Sequence, residues 1–209
     1  RAIFPTGSYR ELRNPKDMID QAELGWKQRF KQGGIFVTAF YAATTEEGGF
    51  EASTQQVIEN DYTALGLELE GAYAIKDFSV RGAATYTKAE IASGDNEGNT
   101  PRRQPNLMYS LIPSYTMGNH SIGLSIIGQT EAFAQDANEL IMPAYMVLNG
   151  FVNFGIADNL SVGLNANNLL DAIGITESEE GAITDGQVNY VRARSITGRS
   201  ISAAIRFTF

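Results

Sequence analysis

The side chains best suited to bind a charged small molecule are basic and aromatic groups in the long polar segments 91–104 and 169–197. They are Arg102, Arg103, Tyr190, Arg192 and Arg194. Guanidinium groups form paired hydrogen bonds with planar anions, and a tyrosine ring can stack on a flat group. We therefore expect these residues to contact a ligand, and an anionic metal chelate would suit the arginines. A neutral sugar would instead use Asn, Asp and aromatic faces, and the residue types do not decide between the two.

Catalytic side chains are scarce. The sequence has one histidine, His120, and no cysteine. No set of nucleophile, base and orienting group can therefore be assembled, and zinc or thiol chemistry lacks ligands. His120 lies in a predicted short turn, where we expect it to be solvated. We predict that the protein is not an enzyme.

Acidic residues outnumber basic ones by 24 to 16, which disfavours a nucleic-acid partner. Many carboxylates fall in the polar segments 45–61 and 169–197. There they could hold a divalent cation that bridges loops or lipopolysaccharide phosphates. A solvated, charge-rich loop is the alternative, and no other cofactor is predicted. These carboxylates are Glu46, Glu47, Glu51, Glu59, Asp61, Asp171, Glu177, Glu179, Glu180 and Asp185.

Hydrophobic residues alternate with polar ones along most of the chain. Leu65, Leu67 and Leu69, for example, alternate with Glu68 and Glu70. Such a period of two is typical of β-strands with one apolar face, and it recurs in nine segments. The sequence therefore predicts an all-β protein with nine antiparallel strands.

The predicted strands are long enough to cross a bilayer. Most have about 10 to 14 residues, whereas strands of soluble sheets usually have about five or six and a membrane strand needs about 9 to 11. The longest apolar runs, 39–43 and 144–148, have five residues each, so no segment forms a membrane-spanning helix of about 20 residues. Either a membrane barrel with an outward apolar face or a soluble sandwich with an inward one fits the alternation.

The connections between strands favour the barrel, because they alternate in length. The short ones are 31–34, 76–77, 117–120 and 157–159, and the long ones are 45–61, 91–104, 132–143 and 169–197. Short turns on one rim and long loops on the other are characteristic of outer-membrane barrels. Aromatic residues also lie near the strand ends, as in the girdles of a membrane protein. The predicted fold is an antiparallel up-and-down transmembrane β-barrel.

Four short motifs resemble those of TonB-dependent outer-membrane receptors. They are the segment Gly66–Glu70, Asn168-Leu169-Leu170-Asp171 where the family commonly has Asn-Leu-Phe-Asp, Gly198-Arg199, and the terminal Phe209. In this family a plug domain fills a 22-stranded barrel. The resemblance implies that residues 1–209 form about nine C-terminal strands of such a barrel, without the plug domain. It also implies that Phe207 and Phe209 belong to the C-terminal signal for barrel assembly.

The same resemblance implies an outer-membrane location in a Gram-negative bacterium, with the long loops extracellular. The implied function is TonB-energised uptake of a scarce nutrient, either a siderophore-bound iron or a carbohydrate. Its implied partners are membrane lipid and lipopolysaccharide, the remaining barrel strands, the plug domain, TonB through an N-terminal region, and a surface lipoprotein. A passive porin or a structural barrel component of the envelope is the alternative, and a soluble acidic β-protein is a third hypothesis.

The polar faces of the strands are expected to face the lumen. Glu70 and Arg81 lie on neighbouring strands and are expected to pair across the wall. The lumen-facing residues are Glu68, Glu70, Arg81, Asn165, Asn167 and Arg206.

Overall fold

The computed structural model describes residues 18–51, 56–179, 183–185 and 188–209, and for 46–51, 56–60, 183–185 and 188–190 it describes the backbone only. The described residues contain fifteen strands. In chain order these are β1 (Met18–Phe30), β2 (Gly33–Glu51), β3 (Gln56–Ile75), β4 (Phe78–Ile91), β5 (Leu107–Met117), β6 (His120–Gln129), β7 (Ala132–Phe133), β8 (Ile141–Met142), β9 (Tyr145–Ala157), β10 (Leu160–Asn167), β11 (Ile175–Ser178), β12 (Ile183–Asp185), β13 (Val188–Tyr190), β14 (Ala193–Ser195) and β15 (Ser200–Phe207).

Nine of these strands form one antiparallel sheet in the order β1-β2-β3-β4-β5-β6-β9-β10-β15. Each long strand pairs with the next long strand along the chain, so the topology is up-and-down. The prediction of nine antiparallel strands is confirmed. β1 and β15 are the two edges of this open sheet. The six short strands form three two-stranded ribbons within the long connections.

The strand register separates the sheet into two chemically different faces. Val37, Leu69 and Ala84 are consecutive partners on one face, and Phe36, Glu70 and Ala83 on the other. We call them the apolar face and the polar face. Because the side-chain period of a strand is two, the assignment extends along every strand.

Residues of the apolar face are exposed rather than packed in an interior. Leu67 is 53%, Leu124 40% and Ile205 76% exposed. No second sheet covers this face in the described part of the chain, so the soluble sandwich is not the fold. An uncovered apolar face is the arrangement that a barrel wall needs against lipid. No helix in the described residues is long and apolar enough to span a membrane.

One predicted connection differs in the structure. The segment 45–61 is largely strand, because pairing of β2 with β3 continues past Thr45↔Asp61 to Glu51↔Gln56, with a register shift after Glu46. The alternating pattern marks the part of a strand with an apolar side. Backbone pairing does not require an apolar side, so the β2–β3 hairpin extends beyond the alternating segment.

The short turns and the remaining long connections lie at opposite ends of the strands. We call the two ends the short-turn rim and the long-connection rim. The observed long connections other than the β2–β3 hairpin are 92–106, 130–144 and 168–199. Together these three form what we call the loop cluster.

Candidate ligand-binding site at the long-connection rim

A cavity of about 350 Å³ lies between the polar face of β2–β4 and the first connection of the loop cluster. Its floor is a row of three alanines, Ala42, Ala64 and Ala89, which are consecutive partners in the register. Their small side chains leave the space above the strands open. The other lining residues are Thr44, Tyr62, Thr63, Pro101, Arg102, Gln104 and Asp136.

Asp136 holds in place the loop residues around Arg102 that line this cavity. Its side chain is buried, with 5% of the residue exposed, and its Oδ1 accepts a 2.9 Å hydrogen bond from the backbone N–H of Arg102. The Asp136 carbonyl accepts a further bond of 2.9 Å from the Asn99 side-chain amide. A carboxylate that accepts a backbone N–H is well placed to hold a loop in one conformation. The contact places Arg102 at the cavity.

Asn138 joins the same two connections a second time. Its Oδ1 accepts from the Thr100 N–H at 2.9 Å, and its Nδ2 donates to the Thr100 carbonyl at 2.7 Å. Asn138 has a φ of 58°, a left-handed conformation that asparagine tolerates better than most residues. The Arg103 N–H donates to the Phe133 carbonyl at 2.7 Å, so the connections 92–106 and 130–144 are tied at three places.

Three of the four predicted ligand-binding arginines contact glutamates of the third connection. Arg194 Nη1 lies 2.9 Å from Glu177 Oε2, and Arg103 Nη1 lies 4.0 Å from Glu177 Oε1. Arg192 Nη1 lies 3.7 Å from Glu179 Oε1. The Arg103–Glu177 contact links 92–106 to 168–199, and all three contacts offset part of the positive charge of the arginines. Arg102 is the predicted arginine that lines the cavity.

The remaining predicted ligand contact, Tyr190, is the last residue of β13, where its backbone is paired with Ile183. Its side chain lies outside the described residues. That Tyr190 contacts a ligand stays a prediction.

The carboxylates predicted to bind a divalent cation have other contacts where the structure describes them. Glu177 and Glu179 face arginines, Asp171 Oδ1 accepts from the Arg199 N–H at 3.0 Å, and Asp61 Oδ2 accepts from the Ser93 hydroxyl at 3.1 Å. No group of three or more His, Cys, Asp or Glu side chains converges among the described residues. The side chains of Glu46, Glu47, Glu51, Glu59, Glu180 and Asp185 lie outside that part.

All six residues predicted to face the lumen lie on the polar face. Glu68 is opposite Thr38 and Thr85, Asn165 is opposite Phe151 and Ser202, and Arg206 is opposite Ser161. Asn167 Nδ2 donates to Ser200 Oγ at 3.3 Å.

The prediction that Glu70 pairs with Arg81 is wrong. Glu70 is opposite Ala83 and Arg81 is opposite Ala72, so the two charges are diagonal neighbours across β3 and β4. Diagonal neighbours have Cα atoms about 7–8 Å apart. No ion pair joins them in the structure.

His120 is not the solvated turn residue that we expected. It begins β6, its ring stacks on Phe154 with centroids 4.2 Å apart, and its Nδ1 is buried without a hydrogen-bond partner among the described atoms. The register gives the reason: His120 is opposite Phe154 on the apolar face. The turn is therefore shorter than predicted.

The motif Asn168–Asp171 anchors the third connection to the sheet. Asn168 is 2% exposed. Its Nδ2 donates to the carbonyls of Ala172 at 2.9 Å and Thr197 at 3.1 Å, and its Oδ1 accepts from the Ala172 N–H at 2.8 Å. Both ends of the segment 168–199 are thus held by one side chain.

The C-terminal aromatic residues lie at the short-turn rim. Phe207 is opposite Leu160, and its ring centroid is 6.5 Å from that of Phe209. Both rings are exposed. A role of these rings in assembly stays a prediction.

The fold, with its single up-and-down sheet, uncovered apolar face and alternating connections, is that of an outer-membrane barrel wall. The family model for the TonB-dependent receptor-like β-barrel matches residues 17–169. The chain therefore belongs to the TonB-dependent receptor β-barrel family, as the motifs suggest, and it forms part of such a barrel.

Relatives of known structure or function agree with this family. The chain is 32% identical over 151 residues to the ferrioxamine receptor of Yersinia enterocolitica, which covers 66% of this chain and 21% of that receptor. The fold matches the ferric yersiniabactin uptake receptor of Yersinia pestis with a TM-score of 0.78 at 17% identity, over 92% of this chain and 30% of that one. A siderophore receptor of Acinetobacter baumannii matches with a TM-score of 0.72 at 19% identity, over 90% of this chain and 28% of that one.

Proposed function

We propose that the chain is part of a receptor that takes up a ferric siderophore through the outer membrane of a Gram-negative bacterium. The observation that carries this proposal is the 32% identity to a ferrioxamine receptor over 151 residues. Ferrioxamine is therefore the first cargo to test. A carbohydrate is the alternative cargo class.

The cavity at the long-connection rim is the proposed point of ligand contact. Its lining includes Arg102, Gln104, Thr44 and Tyr62, whose side chains carry N–H or O–H donors. A ferric chelate presents oxygen atoms around the metal, and such donors can hydrogen-bond to oxygen without replacing a ligand of the iron. At about 350 Å³ the cavity is at the lower end of the usual range for small-molecule sites, about 300–1,000 Å³, so it would hold one side of a chelate.

Arg103, Arg192, Arg194 and Tyr190 are the residues that we expect to make the first contact with the cargo. Arg103, Arg192 and Arg194 are paired with Glu177 and Glu179 at partly exposed positions. Exposed ion pairs of this kind contribute little stability and exchange partners readily. Oxygen atoms of the cargo can compete for these guanidiniums before the cargo reaches the cavity.

The polar face would contact the plug domain. Among the described side chains, its charged residues Glu68, Glu70 and Arg81 make no ion pair, and a plug would supply partners. TonB would act on the plug through a further N-terminal region. The remaining barrel strands would pair with the sheet edges β1 and β15, since hydrocarbon does not tolerate unpaired backbone groups.

Other parts of the receptor would meet the envelope. The apolar face would contact membrane lipid, and the long-connection rim would face lipopolysaccharide and, where present, a surface lipoprotein. Phe207 and Phe209 would act in assembly of the barrel.

The test of cargo and coupling is uptake of radioactive iron by a strain that lacks other ferrioxamine receptors and produces the full-length receptor. We expect uptake of ferrioxamine-bound iron that is lost when TonB is deleted. Uptake that continues without TonB would support the passive porin instead. Growth on an oligosaccharide without iron uptake would show that the cargo class is wrong.

The cavity is tested by Arg102→Ala, for which we expect the Kd for ferrioxamine to rise about tenfold, the loss of one charge-assisted hydrogen bond. The substitution keeps the backbone N–H that bonds Asp136. Arg206→Ala removes a guanidinium from the same face at the opposite rim and serves as the control. Equal Kd values for the two variants would place the ligand elsewhere.

A further inference from the structure

A groove of about 580 Å³ crosses the apolar face of strands β2–β5. Its floor consists of Gly71, Gly82 and Ala84, and its sides are the larger Leu69 and Leu111. Gly71 and Gly82 are direct partners in the register, and Gly82 is also opposite Leu111. All four strands are internal to the sheet, so further barrel strands would not cover the groove.

The length of the groove suits one leaflet of a bilayer. From Leu69 to Tyr73 strand β3 rises roughly 13 Å, which at the usual strand tilt of about 40° spans roughly 10 Å along the membrane normal. The groove therefore fits within the hydrocarbon core of one leaflet, which is about 15 Å thick. Tyr73 lies three residues before the turn residue Lys76, so the groove occupies the half of the wall nearest the short-turn rim. Phe30 and Tyr73, with ring centroids 6.4 Å apart, close its end at the depth where aromatic rings meet lipid head groups.

Two lysines stand beyond this aromatic end. Lys31 is in the β1–β2 turn and Lys76 in the β3–β4 turn, and both are exposed. The turns are held side by side because the Ala74 N–H donates to the Gln32 carbonyl at 2.7 Å. Asp77 is the one acidic residue in these two turns, so their net charge is positive. At the other end of the wall Lys88 is followed by Glu90 on the same face, which balances its charge.

We propose that this groove binds one acyl chain of a phospholipid with an anionic head group, whose phosphate lies between Lys31 and Lys76. The apolar groove, the aromatic ring pair and the lysines follow one another in the order of chain, glycerol region and phosphate in such a lipid. The groove is continuous with the lipid-facing wall, which argues for a lipid rather than a protein occupant. The proposal does not depend on the cargo of the receptor.

The experiment is native mass spectrometry of the full-length receptor, purified in mild detergent and supplied with phosphatidylglycerol or phosphatidylethanolamine. Gly71→Leu fills the groove: a Cβ at Gly71 would be 3.8 Å from the Gly34 carbonyl oxygen and 3.9 Å from Ile35 Cγ1, so a side chain can start there without a clash. We expect it to lower retention of phosphatidylglycerol about tenfold, the effect of losing contact with two methylenes.

Gly25→Leu is the matched control. Gly25 is a strand glycine of the polar face, where a Cβ would be 3.9 Å from Thr38 Oγ1. We expect this variant to retain lipid like the unmodified receptor. Equal retention by the two glycine variants overturns the proposal, and so does a change in dimer content with an unchanged lipid count, since the occupant would then be a second copy of the chain.

The lysines provide variants outside the membrane strands, which keep the test informative if Gly71→Leu does not fold. Lys31→Gln and Lys76→Asn should each lower retention of phosphatidylglycerol about fivefold, the effect of one basic residue near an anionic surface. Lys88→Gln should leave it unchanged. Retention of phosphatidylethanolamine equal to that of phosphatidylglycerol, or equal effects of all three lysine variants, overturns the assigned head group.

Discussion

The sheet and the loop cluster bury their side chains differently. On the sheet, large apolar residues such as Leu24 and Ile205 are 79% and 76% exposed. In the loop cluster, Ala132, Ala134 and Met142 form a small buried core against Leu140 and Ile175. The sheet is therefore suited to a hydrocarbon solvent, whereas the cluster is a small water-facing unit with its own interior.

The polar contacts differ in the same way. The described side chains of the sheet make few cross-strand hydrogen bonds, such as Ser79 Oγ with Ser114 Oγ at 2.7 Å. The strands are held together mainly by their backbone pairing. In the loop cluster, Asn138, Asp136 and Asn168 bond to backbone groups of distant segments. The comparison indicates that lipid and the backbone ladder stabilise the sheet, while a few buried Asx side chains determine the shape of the cluster.

The largest expected effect is on the apolar face. Leu124→Arg should reduce the free energy of folding into lipid vesicles by about 2–4 kcal/mol, the cost of a charge near the bilayer centre. Ser125→Arg places the same side chain on the polar face and should be much milder. Urea titrations of both variants check this, and equal losses would show that the faces are assigned wrongly.

In the loop cluster, Asn168→Ala should reduce the free energy of unfolding by about 2–3 kcal/mol. It leaves the Ala172 N–H and the carbonyls of Ala172 and Thr197 without their buried partner. Asn167→Ala removes one exposed hydrogen bond from the neighbouring position and should have an effect of about 0.5 kcal/mol or less. Denaturant titration with limited proteolysis of 169–197 measures both. Similar results would contradict an anchoring role for Asn168.

A smaller effect is expected at Asn138. Asn138→Gly keeps the left-handed backbone accessible but removes both bonds to Thr100, at a cost of about 1–2 kcal/mol. Hydrogen exchange should show faster exchange of the Thr100 amide. Exchange of the Tyr86 amide in β4 should be unchanged. Acceleration at both positions would mean that sheet and cluster unfold together.

The smallest effect should come from the ion pairs. Glu177→Gln removes the carboxylate between Arg103 and Arg194, which are partly exposed, and should change the free energy of unfolding by about 0.5 kcal/mol or less. The change should shrink further in high salt. Unfolding at low and high ionic strength tests this, and a loss as large as that of Asn168→Ala would show that the pairs hold the cluster together.

The sheet could be predicted because its burial pattern has a fixed period. Leu65, Leu67 and Leu69 mark their own face, and the connections mark the strand ends. No alternation of apolar and polar residues indicates that β2 and β3 extend to Glu51 and Gln56, because strand pairing in water does not require an apolar face. His120 was misplaced for a related reason, since its stacking on Phe154 depends on pairing with a strand 34 residues further on.

The candidate site was only partly predictable. Arg102 could be singled out by its charge, but Asp136 and Asn138 could not, since their bonds to Arg102 and Thr100 join segments that are far apart in the sequence. The pattern Asp136-Ala137-Asn138 is a weak signal of backbone-binding side chains in a loop. The pairing of Arg103, Arg192 and Arg194 with glutamates depends on the fold of the cluster, which no periodicity encodes.

The row Ala42, Ala64 and Ala89 has a consequence for how such a receptor changes over evolution. Each methyl group sits on a backbone held by strand pairing, so exchanging it for a bulkier side chain reshapes the recess above without disturbing the wall. Three adjacent positions therefore offer a short mutational route to a recess of different shape and lining, while the paired backbone beneath them stays the same.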